Sequence, residues 1–459
     1  MNTVRISPAI ILAVALLCGL PGAGWTAAEA ELPPEETLPE DALPEDALKE
    51  TVFPSEAVLT LEEAVRIALE GNPDLAEMQA RYEAMAAIPS QVGTLPDPML
   101  SFNALNFPTD TFNYRQEAMT QLQLGISQQI PFPGKLALKE EAAEFEAVAA
   151  QHSVEETRLL LMRDVRVGWW TLFFLDRALE IVERNQDLLR QFVEIAKTKY
   201  EVGDGLQQDV LLAQVELSKL LEQEIGLTGA RRTESAKLNR LMNRPADAPL
   251  KVPETVAMTF PKVAPDAELF RRGELSRPLL QSQRSRIQAA RSRVLLAKKD
   301  YYPDFSLGAV YGARGGENPG GQGDRADFLT LRFGLNLPIY QDRKRAKAVS
   351  QRESELSGAR YALADEINAM QSEVSQSQAI FIQARDQFRL FETGIIPQAR
   401  QTVESMLAGY QVSEVDFLNL VRSQITLYNY ETLYWQSLAV ANQALARLRA
   451  AVGEEDIGG

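Results

Sequence analysis

The stretch QQIPFPGK, residues 128–135, joins two segments with different periodicities. Before it, the apolar residues Leu122, Leu124 and Ile126 alternate with polar or small ones, which is the pattern of a half-buried strand. After it, the chain is rich in Ala, Glu, Lys and Leu, which favour helix. Two prolines and a glycine stand at the change. The stretch therefore predicts an abrupt junction between a strand and a helix.

The same order of motifs occurs twice along the chain. The matching segments are NPDL (72–75) with RPLL (277–280), LPDPMLSF (95–102) with YPDFSLGA (302–309), LGISQQIPFPGK (124–135) with LRFGLNLPIYQD (331–342), and KYEVGDGLQQDVLLAQVEL (199–217) with GYQVSEVDFLNLVRSQITL (409–427). In both strand-containing matches the aligned prolines are 207 residues apart. A near-constant offset indicates a tandem duplication, and we expect the repeats at 56–250 and 265–453.

Each repeat is predicted to begin with an interrupted helix and two strands. Proline breaks the helix at 72–73 and again at 277–278, because it removes a hydrogen bond from the helix interior. The expected helices are 60–91 and 265–299, and the expected strands are 99–107, 121–130, 305–313 and 328–337. Strands of about 9–11 residues suit a tilted crossing of a bilayer.

A very long helix follows in each repeat. The expected spans are 133–200 and 342–409, the second broken by Pro397, and each corresponds to roughly 100 Å of helix. Apolar residues recur along the first at steps of three and four: Met162, Val165, Trp169, Leu172, Leu175, Leu179 and Val182. This spacing favours a coiled-coil-like seam. Return helices at 209–242 and 416–452 predict antiparallel helical hairpins.

The N-terminal region is expected to direct export. Residues 1–28 have the charge and apolar run of a signal peptide, and lipidation of Cys18 within it is an alternative. Residues 31–55 form an acidic leader with too few apolar residues to order itself. No later segment has the roughly 18 consecutive apolar residues of a membrane helix. The net charge of −16 argues against nucleic acid as a partner.

The strands carry one apolar and one polar face. In 328–337 the apolar positions are Leu329, Leu331, Phe333, Leu335 and Leu337, and the polar ones include Thr330, Arg332 and Asn336. Four strands cannot close a barrel, and an open edge in lipid leaves backbone groups unpaired. Two copies would give eight strands, whose interior side chains fill, whereas three give twelve strands with a wet lumen. A soluble sandwich is the alternative, but it leaves the long hairpins unexplained.

The ordered motifs resemble the TolC family of outer-membrane efflux proteins. The segments that carry the resemblance are LTLEEAVRIALEGNPDL, LPDPMLSF, ISQQIPFPGK, KYEVGDGLQQDVLLAQVEL and YQVSEVDFLNLVRSQITLYNYE. The resemblance implies a mainly α-helical fold with membrane β-strands, in which a homotrimer forms a 12-stranded β-barrel continued by a 12-helix periplasmic α-barrel. It also implies a periplasmic adaptor and an inner-membrane pump as partners. IPFPGK is similar to members that work with heavy-metal pumps.

The hairpin tips are the predicted periplasmic entrance and adaptor contact. The residues concerned are Tyr200, Gly203, Asp209, Tyr410, Glu414, Asp416, Asn419 and Arg422. Capping of the return helices is an alternative role for Asp209 and Asp416. The resemblance implies closure by Asp–Arg and Asp–Tyr bonds, which Asp416 and Tyr410 match in position. Because no arginine lies between those two residues, Arg422 is a possible substitute, and Asp416→Ala is expected to raise conductance.

Proline marks every predicted crossing between strand and helix. The residues are Pro96, Pro98, Pro131, Pro133, Pro303 and Pro338. Proline cannot donate to a strand ladder and is well tolerated in the first turn of a helix. The crossings are therefore interpreted as the boundary between lipid and water. Lys135 is expected to face the membrane surface or the lumen, or simply to be a solvated charge.

No pattern in the chain predicts catalysis or a cofactor. Phosphate-binding loops, nucleophile–base signatures and paired-histidine motifs are absent from the sequence. His152, the single histidine, falls on a helical seam and is interpreted as a packing residue. The leading hypothesis is a passive exit duct in an efflux system, with heavy-metal cations as the expected substrate. The alternatives are a drug-efflux or type I secretion channel, a periplasmic coiled-coil adaptor, and a structural surface protein.

Overall fold

A four-stranded antiparallel sheet and long helical hairpins make up the computed structural model. It describes residues 58–318, 320–321, 323–412 and 414–458. The expected signal peptide with Cys18 and the acidic leader at 31–55 lie outside the described residues.

Both halves of the described chain run from short helices through two strands to a long helical hairpin, but the number of separate helices differs between them. The elements are α1 (Leu61–Gly71), α2 (Pro73–Ala86), α3 (Ile88–Gly93), β1 (Met99–Leu105), β2 (Gln121–Ile130), α4 (Lys135–Glu201), α5 (Gln207–Leu241), α6 (Asp266–Ser276), α7 (Pro278–Lys299), β3 (Phe305–Arg314), β4 (Phe328–Leu335), α8 (Ala346–Leu390), α9 (Ile396–Gln411) and α10 (Phe417–Val452). The predicted strands and helices therefore form, with ends that differ by a few residues.

The sheet separates an apolar face from a polar one. Its strand order is β1-β2-β3-β4, and every neighbouring pair is antiparallel. One cross-strand row joins Leu100, Ile126, Ala309 and Leu331, and Leu331 is 76 % exposed. Rows on the opposite face contain polar residues such as Gln123, which is buried. Because directly opposed residues share a face, the apolar side chains form one continuous outer surface.

The long helices extend the sheet into hairpins. The 67 residues of α4 correspond to about 100 Å. The expected interruption at Pro397 takes the form of a π-helical turn, Phe391–Ile395, which connects α8 to α9, and Pro397 lies in the first turn of α9. Proline lacks the amide that would bond to the preceding turn, and the wider π turn accommodates that loss without ending the helix.

The core lies where the short helices pack against the middle of the long hairpins. Trp169, Trp170 and Phe173 on α4 form an aromatic cluster, and Trp169 donates a hydrogen bond to the carbonyl of Leu59 at 2.9 Å. Val165 and Leu172, on the predicted seam, are fully buried. Among the helices that the structure describes, none combines the length and apolarity needed to cross a membrane.

Proline interrupts both short helical segments, but different side chains stabilise the two breaks. Asn72 accepts hydrogen bonds from the amides of Asp74 and Leu75 and so caps α2. At the second break, Arg277 is buried and pairs with Glu156 at 3.3 Å and Glu373 at 2.9 Å. Arg277 therefore joins α7 to both long helices through buried charges.

Candidate functional site

The first hairpin tip is a tight reversal between α4 and α5. Gly203 has a φ of 83°, in the left-handed region that glycine adopts without strain. The amide of Asp204 donates to the carbonyl of Lys199 at 2.9 Å and closes the end of α4. Tyr200 and Gly203 are exposed at this tip. The tip therefore presents a short exposed surface on which the apolar side chains of Val202 and Leu206 accompany polar ones.

The second tip, between α9 and α10, is closed by the equivalent hydrogen bond. The amide of Glu414 donates to the carbonyl of Gly409 at 2.9 Å. A side chain at Gly409 would come within 2.6 Å of Val415, so the turn requires glycine there. Glu414 and Asn419 are exposed. The two tips thus share a closing hydrogen bond between residues five apart, at positions that match in the two sequence segments.

The two aspartates at the tips differ in their contacts with the starts of the return helices. Asp416 occupies the N-cap position of α10, but its side chain accepts no capping hydrogen bond. Asp209 lies in the first turn of α5, where Leu206 is the N-cap residue. The capping interpretation is therefore wrong for Asp416, whereas the Asp209 carboxylate accepts a hydrogen bond from the amide of Leu206 and satisfies one amide at the start of α5.

The structure brings Asp209, Asp416 and Tyr410 into one electrostatic cluster. Burial raises the pKa of Asp209; the amide of Leu206 opposes this, and the charge of Asp416 adds to the increase. The pKa of Tyr410 is also raised, first by burial and then by Asp209. Two carboxylates that share a site disfavour simultaneous ionisation. The cluster is therefore sensitive to protonation.

Tyr410 belongs to the hydrophobic core of the hairpins. It is 5 % exposed, and its ring packs against Phe417 at 5.2 Å. Its hydroxyl has no hydrogen-bond partner among the residues that the structure describes. Within one copy, the Asp–Tyr bond implied by the family resemblance is therefore not formed. Arg422, the suggested substitute, is exposed and makes no ion pair with any described residue.

Lys199 connects the two tips, and sequence reasoning missed it. Its ammonium donates to the carbonyl of Tyr410 at 2.7 Å and lies 4.5 Å from the centre of the Tyr410 ring. A lysine over an aromatic face gains from the negative ring quadrupole. The quoted motif KYEVGDG begins with Lys199. That cation next to a predicted tip is the signal that could have identified it.

The junction between β2 and α4 contains a buried ion-pair cluster. Lys135 is 5 % exposed and pairs with Asp304 at 2.9 Å and Asp300 at 3.1 Å. Asp304 also accepts a hydrogen bond from the amide of Phe132 at 2.8 Å. Burial raises the pKa of Asp304, but the Phe132 amide and Lys135 together hold it below its ordinary value. The expectation that Lys135 faces lumen, membrane surface or solvent is wrong.

Proline lies between helix and strand at each junction that the sequence marked. Pro96 and Pro98 precede β1, Pro303 precedes β3, and Pro338 follows β4. Pro131 and Pro133 separate β2 from α4. Phe132, between those two prolines, stacks on Tyr302 with ring centres 4.5 Å apart. The junction of the first half therefore packs directly against that of the second.

Histidine and carboxylate side chains do not assemble a metal centre in the described part of the chain. His152 is half-buried on α4. No group of three or more potential His, Cys, Asp or Glu ligands is close enough to hold a metal ion within the described residues. The chemistry available at the tips and junctions consists of hydrogen bonding and charge pairing.

The chain belongs to the outer membrane efflux protein family, whose model matches residues 64–244 and 271–454. This family places the protein in the outer membrane, as a channel of efflux systems. Membership confirms the resemblance drawn from the sequence motifs.

Individual relatives are distant but span most of the chain. The cobalt-zinc-cadmium resistance protein CzcC of Cupriavidus metallidurans is 21 % identical over 411 residues, covering 88 % of this chain and 92 % of CzcC. The outer membrane protein VceC of Vibrio cholerae has a TM-score of 0.71 and 19 % identity, covering 86 % of this chain and 96 % of VceC. CusC has a TM-score of 0.71 and 15 % identity, covering 86 % of this chain and 92 % of CusC. The structural matches establish a shared fold.

Proposed function

We propose that this chain forms the passive outer-membrane exit duct of a tripartite efflux system for heavy-metal cations. The observation that carries the proposal is the two-faced sheet at one end of helices about 100 Å long. An apolar outer face suits lipid, and a polar inner face suits a water-filled lumen. The helices have the length to continue the duct across the periplasm.

The duct requires several copies of the chain. Each copy contributes the four strands that the structure describes, and three copies give a 12-stranded barrel with a wet interior. The hairpins of three copies would continue it as a 12-helix tunnel. A periplasmic adaptor would contact the hairpin tips, and an inner-membrane pump would supply the energy. Family membership supports this assembly.

The name of a relative supports heavy-metal cations as the substrate class of this chain. CzcC is named for resistance to cobalt, zinc and cadmium and matches most of this chain. The cations would pass through the polar lumen as substrate, delivered by the pump through the adaptor. Drug efflux, the first alternative, is an outcome of the test below.

Complementation tests the substrate. A strain lacking the gene should become more sensitive to cobalt, zinc and cadmium, and the plasmid-borne gene should restore growth. Copper and silver form a second arm of the assay, and a panel of hydrophobic drugs forms a third. Sensitivity confined to the drugs would overturn the metal assignment but leave the duct intact.

A matched pair of variants tests the orientation of the sheet. Leu331→Arg places a charge on the exposed apolar face, whereas Thr330→Arg places it on the opposite face of the same strand. A lipid-facing arginine at the bilayer midplane costs about 2–4 kcal/mol. We expect Leu331→Arg to reduce outer-membrane assembly and Thr330→Arg to be tolerated. The reverse result in fractionated membranes would refute the lumen assignment.

A further inference from the structure

The strands differ in charge from the rest of the protein. The whole chain has a formal net charge of −16. The four strands that the structure describes, β1 to β4, contain no aspartate, glutamate or lysine, and their only charged residues are Arg314 and Arg332. The strand section is therefore positively charged in a chain that is otherwise strongly acidic.

Both arginines lie on the polar face of the sheet. Arg332 directly follows Leu331, whose side chain is on the apolar face, and successive side chains of a strand point to opposite faces. Arg332 opposes Gly308 on the neighbouring strand. By the same alternation Arg314, which opposes Gln121, is also on the polar face. In the proposed duct this face lines the lumen.

Arg314 is held at the end of the sheet that is remote from the helices. Its side chain donates to the carbonyls of Ala326 at 2.6 Å and Ala118 at 3.3 Å, and its guanidinium lies 3.7 Å from the centre of the Phe328 ring. Its backbone amide donates to the carboxylate of Asp327 at 2.8 Å. The charge of Arg314 is therefore fixed among loop carbonyls and lies beside an acid.

Arg332, in the middle part of β4, has no such compensation. Its side chain is exposed and makes no ion pair with any described residue, and Gly308 beside it has no side chain to cover it. The flanking acid Asp327 lies five residues away along the strand, roughly 17 Å. At the other end Asp304 bonds to Asn336, four residues from Arg332 and roughly 14 Å away. Both separations exceed the Debye length of about 8 Å at physiological ionic strength.

We propose that Arg332 makes the strand section of the duct selective for anions and opposes the passive re-entry of cations from outside. Rings of arginine or lysine favour anions in pores, and every copy supplies one Arg332 to a strand section without carboxylates. The pump raises the cation concentration at the helical end of the duct, whereas external cations meet the same electrostatic barrier without that drive. The inference rests on the proposed duct and adds the ion selectivity of its strand section.

A cysteine at position 330 measures the electrostatic potential beside Arg332. Thr330 is exposed, two residues away on the same face of β4, at a distance of about 7 Å. Intact cells that export the full chain are treated with two monovalent methanethiosulfonate reagents of similar size, one anionic and one cationic. We expect the anionic reagent to modify Thr330→Cys faster. Adding Arg332→Gln should lower the ratio of anionic to cationic rates about fivefold, the effect of a unit charge at that distance in water.

The two rates together separate charge from access. A change in access alters both rates in the same direction, whereas the loss of a positive charge lowers the anionic rate and raises the cationic one. Arg343→Gln, at an exposed arginine outside the strands, is the matched control and should leave the ratio unchanged. The parent chain, with Cys18 alone, gives the background.

Two results would overturn the inference, and they differ in what they say about the duct. If Thr330→Cys is modified but Arg332→Gln leaves the ratio unchanged, Arg332 does not set the selectivity and the duct stands. If neither reagent modifies Thr330→Cys in protein that has reached the outer membrane, the polar face does not line a water-filled lumen. That second result would refute the proposed duct together with the inference.

Discussion

Replacing Lys199 with methionine should weaken the contact between the two hairpin tips. The ammonium of Lys199, in the last turn of α4, reaches both the carbonyl and the ring face of Tyr410 on α9. Methionine keeps an unbranched apolar chain in the same space but removes the charge and the donor. The substitution therefore tests the contact with little change in packing.

The magnitude follows from the two interactions that are lost. A hydrogen bond from a charged donor contributes about 1.5–3 kcal/mol, and a cation–π contact at a half-exposed site adds about 0.5–1 kcal/mol. Lys199 is only half-buried, so water screens part of this, and about 2 kcal/mol remains. Since 1.4 kcal/mol corresponds to a factor of ten, the equilibrium between joined and separated tips should shift roughly 30-fold.

Single-channel recording in planar bilayers measures the effect, because separated tips widen the proposed entrance. We expect Lys199→Met to raise the open probability or the conductance relative to the parent. Lys197→Met is the matched control, since that lysine is exposed and lies two residues earlier on the same helix. If both variants conduct like the parent, the contact between Lys199 and Tyr410 does not restrict the entrance.

Three further predictions concern the tips, the junction and the buried charges. The pKa of Asp209 is raised by burial and by Asp416. The contact between the tips should therefore be most stable below the ordinary pKa of an aspartate and should weaken as the pH rises through the raised pKa of Asp209. Asp416→Asn should reduce, but not abolish, this pH dependence, because burial remains its main cause. It should also lower conductance at neutral pH, the opposite of the expectation from sequence, and a rise would refute the repulsion. Lys135→Met should destabilise the β2–α4 junction by about 1.5–3 kcal/mol through its lost charged hydrogen bond, measured by thermal unfolding against exposed Lys139→Met, and equal transitions would contradict it. Glu156→Ala should lower the free energy of unfolding by about 3–5 kcal/mol, because it leaves buried Arg277 with one partner. The control, Glu155→Ala at an exposed position, should lower it by less than about 1 kcal/mol. Similar thermal midpoints for the two variants would contradict this prediction.

Sequence periodicity predicted the elements well where proline marks their ends. The span of β2 is the expected 121–130, because Pro131 follows it directly. The edge strands are shorter than expected, and β1 stops at Leu105 instead of reaching Phe107. Asn106 adopts a φ of 57°, which turns the chain out of the extended conformation. Alternation alone does not reveal a left-handed residue, so the end of β1 was not predictable from its pattern.

The contacts at the tips and junctions were less predictable because their partners are distant in sequence. Lys135 lies 169 residues from Asp304, and Lys199 lies 211 residues from Tyr410. A periodic pattern identifies the face of one element but not the element that covers it. A lysine beside a proline-rich junction is therefore interpreted as solvated as long as the position of its partner strand is unknown.

The predicted duplication supplies some of the long-range information that periodicity lacks. A shift of 207 residues relates the registers of both hairpins, so the sequence offset alone places Ser306 opposite Gly334 once Met99 is known to oppose Ser127. The same shift does not reproduce the buried ion pair: it replaces Lys135 by Asp342 and Asp304 by Asp97. Backbone register tolerates such changes because ladder hydrogen bonds do not depend on side chains. Arg343 and Lys344 directly follow Asp342, so basic residues are nevertheless adjacent to that position in the sequence.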